Sequence, residues 1–359
     1  MNEYKINIPR LKFPKKFAKS PAKYLRKIVI DNAEERGLLT PENREAYLQR
    51  IDHEIAVFER CGYVDYLLGV ERLTEEMSLL EMPYFAGRGV YAASLVFYCL
   101  GITNIDPIKH GLMFARFMPE DKPMFVEVEL LVDRLGARHV EDLQQFAMEH
   151  NEPEGHCVTL VKSSVVRLIE QTRAEVGFHH QLNTFDLGNA SFVNINYDET
   201  DVYQFICNGD SAGVYCLGRR CLAYLKPSSF DELMRICVIA TVGIWSEIEA
   251  LEQTKHRYFF QEKIMADAIA CGFSEAEADD LRRAVGRKQA EKLELYRPRW
   301  VAKYGEESWQ TMTEQGLWSY PKAHAVTIAY LAYATAYLKT HFPEEFTRAA
   351  LCVAANDDY

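Results

Sequence analysis

Two glutamates at alternate positions, Glu127 and Glu129, and a dense run of cations, Arg282, Arg283, Arg287 and Lys288, are the residues of this sequence best placed for chemistry. From Phe125 to Leu131 apolar and polar types alternate, which predicts a strand with both carboxylates on one face. Such a pair is either a solvated strand face or part of a divalent-cation site. Guanidinium groups match phosphate oxygens as a fork, so the arginine run reads as a phosphate-facing surface or as an ordinary exposed helix face. Lys322 and His324 stand under the same two readings. His156, Cys157, His179 and His180 are metal-ligand types, but no ligand spacing joins them. No nucleophile and base pair stands out.

The chain of 359 residues is 48% hydrophobic and 26% charged, enough to bury one large core or two moderate ones. Its formal net charge of -11 has the wrong sign for a surface that tracks a phosphate backbone along its whole length. Contact with nucleic acid is therefore expected to be local or shared with a basic partner. Nine scattered cysteines, odd in number and without a C-x-x-C pair, predict a reduced, cytoplasmic chain. Met1 to Lys27 is basic, broken by Pro9, Pro14 and Pro21, and lacks the apolar run of a leader or a membrane span.

Ser20-Pro21 and Thr40-Pro41-Glu42-Asn43 have the form of helix starts, and Tyr47, Ile51, Ile55 and Phe58 follow the second as one apolar stripe. A helix is expected over Tyr63 to Leu80, then a short strand, the glycine turn Gly87-Arg88-Gly89 and a helix from Tyr91 to Leu100. Cys157 to Val161 reads as a second strand. From Val202 onward the pattern is helical, with helices over Phe230 to Ile239, Trp245 to Ala268, Ser274 to Lys292 and Ala323 to Leu338; Ser274 and Glu277 form a capping box. The least ordered stretches are expected at Glu149 to Gly155 and Asn189 to Thr200, the latter a domain boundary.

Several segments, in order, resemble the palm and fingers of the C-family replicative polymerases, the bacterial DNA polymerase III alpha subunits. Gly87-Arg88-Gly89-Val90-Tyr91-Ala92-Ala93-Ser94-Leu95 resembles that family's P-G-R-G-S-A-A-G-S-L turn. Leu100 to Pro107 with Gly111 to Phe117 resembles L-G-I-T-D-I-D-P and G-L-L-F-E-R-F, and Leu225 to Phe230 resembles L-K-P-x-x-F. Farther on, Gln261 to Met265, Leu281 to Lys288 and Tyr320 to His324 are similar to Y-Q-E-Q-V-M, L-R-R-A-M-G-K-K and F-N-K-S-H. The resemblance runs from about residue 20 to the C-terminus. It implies an α+β fold, a nucleotidyltransferase-like palm with a small mixed sheet followed by a mainly helical fingers domain. The expected division is a basic arm over 1–19, a palm with a reduced thumb over 20–195 and fingers over 196–359.

Polymerases of this family neutralise charge with two divalent metals held by aspartates. In the family strand P-D-I-D-I-D the first of these positions matches Phe125 and the second Glu127, while Asp186 in Phe185-Asp186-Leu187-Gly188 is the match for the third carboxylate. Phenylalanine cannot ligate Mg²⁺, and glutamate moves its oxygens outward from where aspartate places them. At the glycine turn the family's serine is replaced by Val90, which carries no hydroxyl, although the following helix N-terminus could accept a phosphate. Gly87, Arg88, Gly89, Arg282, Arg283, Arg287, Lys288, Lys322 and His324 are the implied nucleotide or phosphate contacts. The family's PHP domain and its C-terminal clamp-binding and OB regions are expected to be missing, as is the loop between Trp245 and Tyr258.

The expectation is a catalytically inactive relative that binds nucleic acid or a nucleotide, or acts as a scaffold, in a multi-subunit complex with a protein partner and no membrane. Its rivals are an active minimal nucleotidyltransferase with Glu127, Glu129 and Asp186 around Mg²⁺, in which Glu127 and Asp186 are the metal ligands, and a purely structural assembly subunit.

Overall fold

The computed structural model describes residues 3–8, 14–15, 17, 19–35, 37–86, 89–122, 125–133, 137–150, 156–180, 196–217, 225–242 and 252–356. Asp186, Gly87 and Arg88 lie outside them, as does most of the stretch 189–200. The fold is α+β. Its one sheet among the described residues has the order β1-β4-β3-β2, with β1 Glu3–Asn7, β2 Tyr84–Ala86, β3 Glu129–Val132 and β4 Cys157–Lys162. β3 and β4 run parallel, and both outer pairs are antiparallel.

Helices α1 Pro21–Glu35, α2 Arg44–Arg60 and α3 Val64–Leu79 precede the sheet's inner strands. The stripe predicted on α2 is the one it buries, and Glu54 sits on the same face, fully inaccessible. The helix expected from Tyr91 to Leu100 is broken. A 3-10 turn, Gly89–Ala93, ends at Ser94, whose extended backbone and hydroxyl cap the short helix α4 Leu95–Cys99. After α5 Phe114–Phe117, helices α6 Ala137–His150 and α7 Ser164–His180 alternate with β3 and β4, the helical crossover that parallel strands need.

The remainder is helical: α8 Thr200–Cys207, α9 Phe230–Val242, α10 Gln261–Ala270, α11 Glu275–Gly286, α12 Ala290–Tyr304, α13 Glu306–Gln315, α14 Lys322–His341 and α15 Pro343–Asn356. Two expected helices are shorter than the periodicity suggested. Residues 254–260 form turns that end in a bridge between Phe260 and Tyr320, so α10 starts only at Gln261. The helix from Ser274 stops at Gly286, because Lys288 adopts a left-handed backbone with φ of 54°. No helix among the described residues is long and apolar enough to cross a membrane.

Two apolar clusters form. The larger joins the sheet and its helices to α8, α9, α14 and α15, with the alanine-rich α14 buried on nearly every side. The smaller packs α10 to α13 around Trp300, Trp309 and Tyr258. Their division falls near Tyr258 and Tyr320, inside the segment 196–359.

β1, part of the arm expected over 1–19, is the element that composition hid. Tyr4, Ile6 and Ile8 alternate with polar residues, and Ile6 is fully buried opposite Val158. Ile6→Ala removes a buried aliphatic side chain and should lower the unfolding free energy by about 3 kcal/mol in urea titration.

Candidate functional site

The stretch Phe125 to Val128 runs on from β3 yet lies outside the paired strand, because tyrosine hydroxyls take most of the places of a ladder. Tyr63 donates to the Val126 carbonyl. Tyr66, on α3, accepts the Val128 N–H at 2.6 Å and donates to the Cys157 carbonyl at 3.1 Å. Tyr91 donates to the Glu127 carbonyl and accepts the Glu129 N–H, both at 3.1 Å. Buried backbone polar groups must find partners, and here three phenols fasten the strand that carries the carboxylates.

Phe125 is 36% exposed. Its ring stacks on His156 with centroids 4.0 Å apart and meets Tyr63 and Tyr66 edge-on at 4.8 and 4.9 Å. The position is filled by a packed aromatic box that offers no oxygen donor. Glu127 is turned to its own neighbours: its carboxylate accepts the Cys157 N–H at 3.3 Å and the Cys157 thiol at 3.5 Å, with Lys5 of β1 at 3.9 Å. Burial, then the Glu127 charge, push the thiol up and keep it a donor. Glu129 is half-buried beside it. Among the described residues no group of three or more His, Cys, Asp or Glu side chains could hold a metal ion.

The backbone anion sites are also taken. Leu95 and Val96, the first residues of the helix after the glycine turn, both give their N–H groups to the buried Glu54 carboxylate at 3.0 Å. Ser94 adds its hydroxyl at 2.6 Å, and Arg50 balances the charge at 2.6 Å. That corrects the expectation that this N-terminus could accept a phosphate. At the start of α14 the arrangement recurs. The Lys322 N–H lies 2.9 and 2.8 Å from the two oxygens of Glu262, and the Ala323 N–H approaches at 3.5 Å. Burial pushes the Glu262 carboxyl up, and these N–H groups pull it back.

Several expected phosphate contacts are brought together without forming an open cradle. A Cβ on Gly89 would stand 2.2 Å from the His324 Cα and 2.7 Å from the Ala323 carbonyl oxygen, so this glycine is required by the backbone of α14. His324 stacks on Tyr320, and the Lys322 ammonium donates to the His110 carbonyl at 2.6 Å. These two residues serve the joint between palm and α14.

Arg283 and Arg287 reach solvent, whereas Arg282 is largely buried. Arg282 and Arg283 share Asp279, at 2.5 and 2.6 Å, and with Arg287 they line a cleft of about 300 Å³. Arg116, tied to Gln261 at 2.9 and 3.1 Å, lies close enough that its charge, after burial, pushes Arg282 down to about 10. A second cleft of about 180 Å³ separates Val90 and Val126 from Asp280 and Arg283 and has Arg116 and Lys122 on its wall. Cations line these clefts, whereas Glu54, Glu127 and Glu262 are engaged by groups of the chain itself. Glu54 is the functional residue that sequence reading missed; its signal is a glutamate on the same face as Ile51, Ile55 and Phe58.

Comparison with known proteins places these features. Residues 23–127 match the family model described as the bacterial DNA polymerase III alpha NTPase domain, and residues 246–308 match that of the bacterial DNA polymerase III alpha subunit finger domain. The DNA polymerase III subunit alpha of Thermotoga maritima is 24% identical over 94% of this chain and 50% of its own length. Those of Staphylococcus epidermidis and Aquifex aeolicus are 23% and 22% identical over 90% and 95% of this chain, each over 44% of its own length. The chain spans about half the length of the curated relatives it matches. These alignments extend over 425 to 518 residues, more than the 359 available here, so the relatives carry internal segments without counterparts in this chain.

Two substitutions test the joint. Gly89→Ala sets a methyl against the α14 backbone, which cannot yield as a flexible side chain would, and should cost about 3 kcal/mol or more in chemical denaturation. Glu262→Ala strips a buried partner from the α14 N-terminus and should cost about 2 kcal/mol in the same measurement.

Proposed function

We propose, from its similarity to the bacterial DNA polymerase III alpha family, that the chain is a catalytically inactive polymerase core, a nucleic-acid- or nucleotide-binding or scaffold subunit of a larger complex. The observation that carries the reading is the aromatic box around Phe125. Where the resemblance places the first metal-binding aspartate, a phenyl ring is locked between His156, Tyr63 and Tyr66. A catalytic metal pair needs closely placed anionic oxygens, and Mg²⁺ tolerates little geometric error. The donor set Phe125, Glu127 and Glu129 does not fit it, and Glu127 is already engaged by Cys157 and Lys5.

Filling of the palm's anion sites points the same way. Val90 replaces a hydroxyl beside the cleft, and Glu54 and Glu262 lie where helix N-termini would otherwise meet phosphate. What survives is the cationic half: Arg282, Arg283 and Arg287 in one cleft, and Arg116 and Lys122 in the next. A scaffold with these features binds phosphate-bearing chains without transferring a phosphoryl group. Its complex partner is a protein, in keeping with an acidic surface of net charge -11 that restricts nucleic-acid contact to local basic clefts.

Purified protein given a primer-template, all four dNTPs and Mg²⁺ or Mn²⁺ should yield no extension product. Robust extension that Glu127→Ala abolishes would overturn the proposal in favour of an altered metal cluster.

A further inference from the structure

We propose that β1 pairs antiparallel with β1 of a second copy of this chain, joining two four-stranded sheets edge to edge in a register centred on Tyr4.

β1 is an outer strand, and among the described residues it pairs with β4 alone. Its five residues, Glu3 to Asn7, stand in unbroken register with Val161 to Cys157, so no bulge turns the edge aside. The Ile8 N–H bonds to the His156 carbonyl at 3.4 Å, and bonded pairs alternate along an antiparallel ladder. Tyr4 and Ile6 therefore direct their backbone groups to β4. Those of Glu3, Lys5 and Asn7 point the other way, off the edge of the sheet. The alternation agrees on β4 itself, where the N–H of Thr159, the residue opposite Lys5, turns away to the Val128 carbonyl at 2.9 Å. A row of outward N–H and C=O groups is a template for another strand. Pro9 ends the row, because it has no N–H to give. At the opposite edge β2 is three residues long, and shortness is one way an edge is kept from pairing.

Charge selects both the partner and the register. Bonded pairs across the new seam must join outward residues of the two copies. Centring the seam on Lys5 sets two ammonium groups opposite each other, which is unfavourable. Centring it on Ile6 sets Glu3 opposite Pro9, where a ladder bond has no donor. Centring it on Tyr4 sets Glu3 of each copy opposite Lys5 of the other, which gives two bonded pairs and two pairs of opposite charge. Lys5 is free to reorient, since its side chain is 71% exposed and comes no closer than 3.9 Å to Glu127. On the other face Tyr4 stays part-exposed although Ile6, two residues on, is fully buried. Pairing sets the two Tyr4 residues directly across from each other as a non-bonded pair, with Cα atoms about 4.5 Å apart, a place where aromatic pairs stabilise a sheet. An unrelated strand need not carry this complement; a second copy always does.

So short a seam makes a small contact, and small contacts belong to the weak class of association. Sedimentation velocity of the whole chain at low salt, from about 1 µM to about 1 mM, should show a monomer–dimer equilibrium that added salt weakens. Glu3→Lys makes both opposing pairs cationic and Lys5→Glu makes both anionic, so each variant alone should associate about tenfold more weakly or worse. Mixed one to one, the two variants should associate again, because every lysine then faces a glutamate. A structural defect in either variant would not be repaired by mixing, and both should melt close to the wild-type temperature because the two side chains are exposed. Wild-type chain that stays monomeric throughout, dimers that Glu3→Lys leaves unchanged, or variants that fail to recover on mixing would overturn the proposal. Primer extension is read separately, so none of these outcomes alters the inactive-polymerase reading.

Discussion

Capture of helix N-termini by buried carboxylates is the interaction on which this architecture depends. A helix start presents unpaired N–H groups and about half a positive charge. In this chain Glu54 meets Leu95 and Val96, and Glu262 meets Lys322 and Ala323. Each carboxylate comes from a different helix than the one it caps, so each cap is also a tertiary tie. Between the two, Gly89 lies against the first turn of α14 at a distance no side chain would permit. The glycine turn, the helix after it and the long central helix thereby behave as one unit.

Such ties have a chemical consequence. Backbone N–H groups at a helix start are a ready site for phosphate, and a buried carboxylate there repels the very ligand the site suits. Along the stretch that leads into β3, three tyrosine hydroxyls hold the backbone and the Phe125 ring stacks on His156.

Charge is distributed to match. Although the chain carries a net -11, Arg282, Arg283 and Arg287 line one cleft and Arg116 and Lys122 line the next. Arg282 and Arg283 are steadied by Asp279, whereas Lys288 is held in a strained turn.

Local physics wrote much of this into the sequence. The apolar stripe of α2, the capping box of Ser274 and Glu277, the strand at Cys157 and the long run of α14 depend on periodicity and on neighbours within a few residues, so they were legible there. That Phe125 offers no oxygen ligand was legible too, since a residue's type suffices to say so. Breaks and partnerships were not. β1 forms because Val158 and its neighbours wait far along the chain, and the helix predicted through residues 254–260 yields to a bridge with Tyr320. Whether Glu54 and Glu262 were surface charges or buried caps, and whether Gly89 served a ligand or a helix, depended on which backbone atoms came within 3 Å of them. Those partners lie some 40 to 230 residues away in sequence, and only packing brings them together.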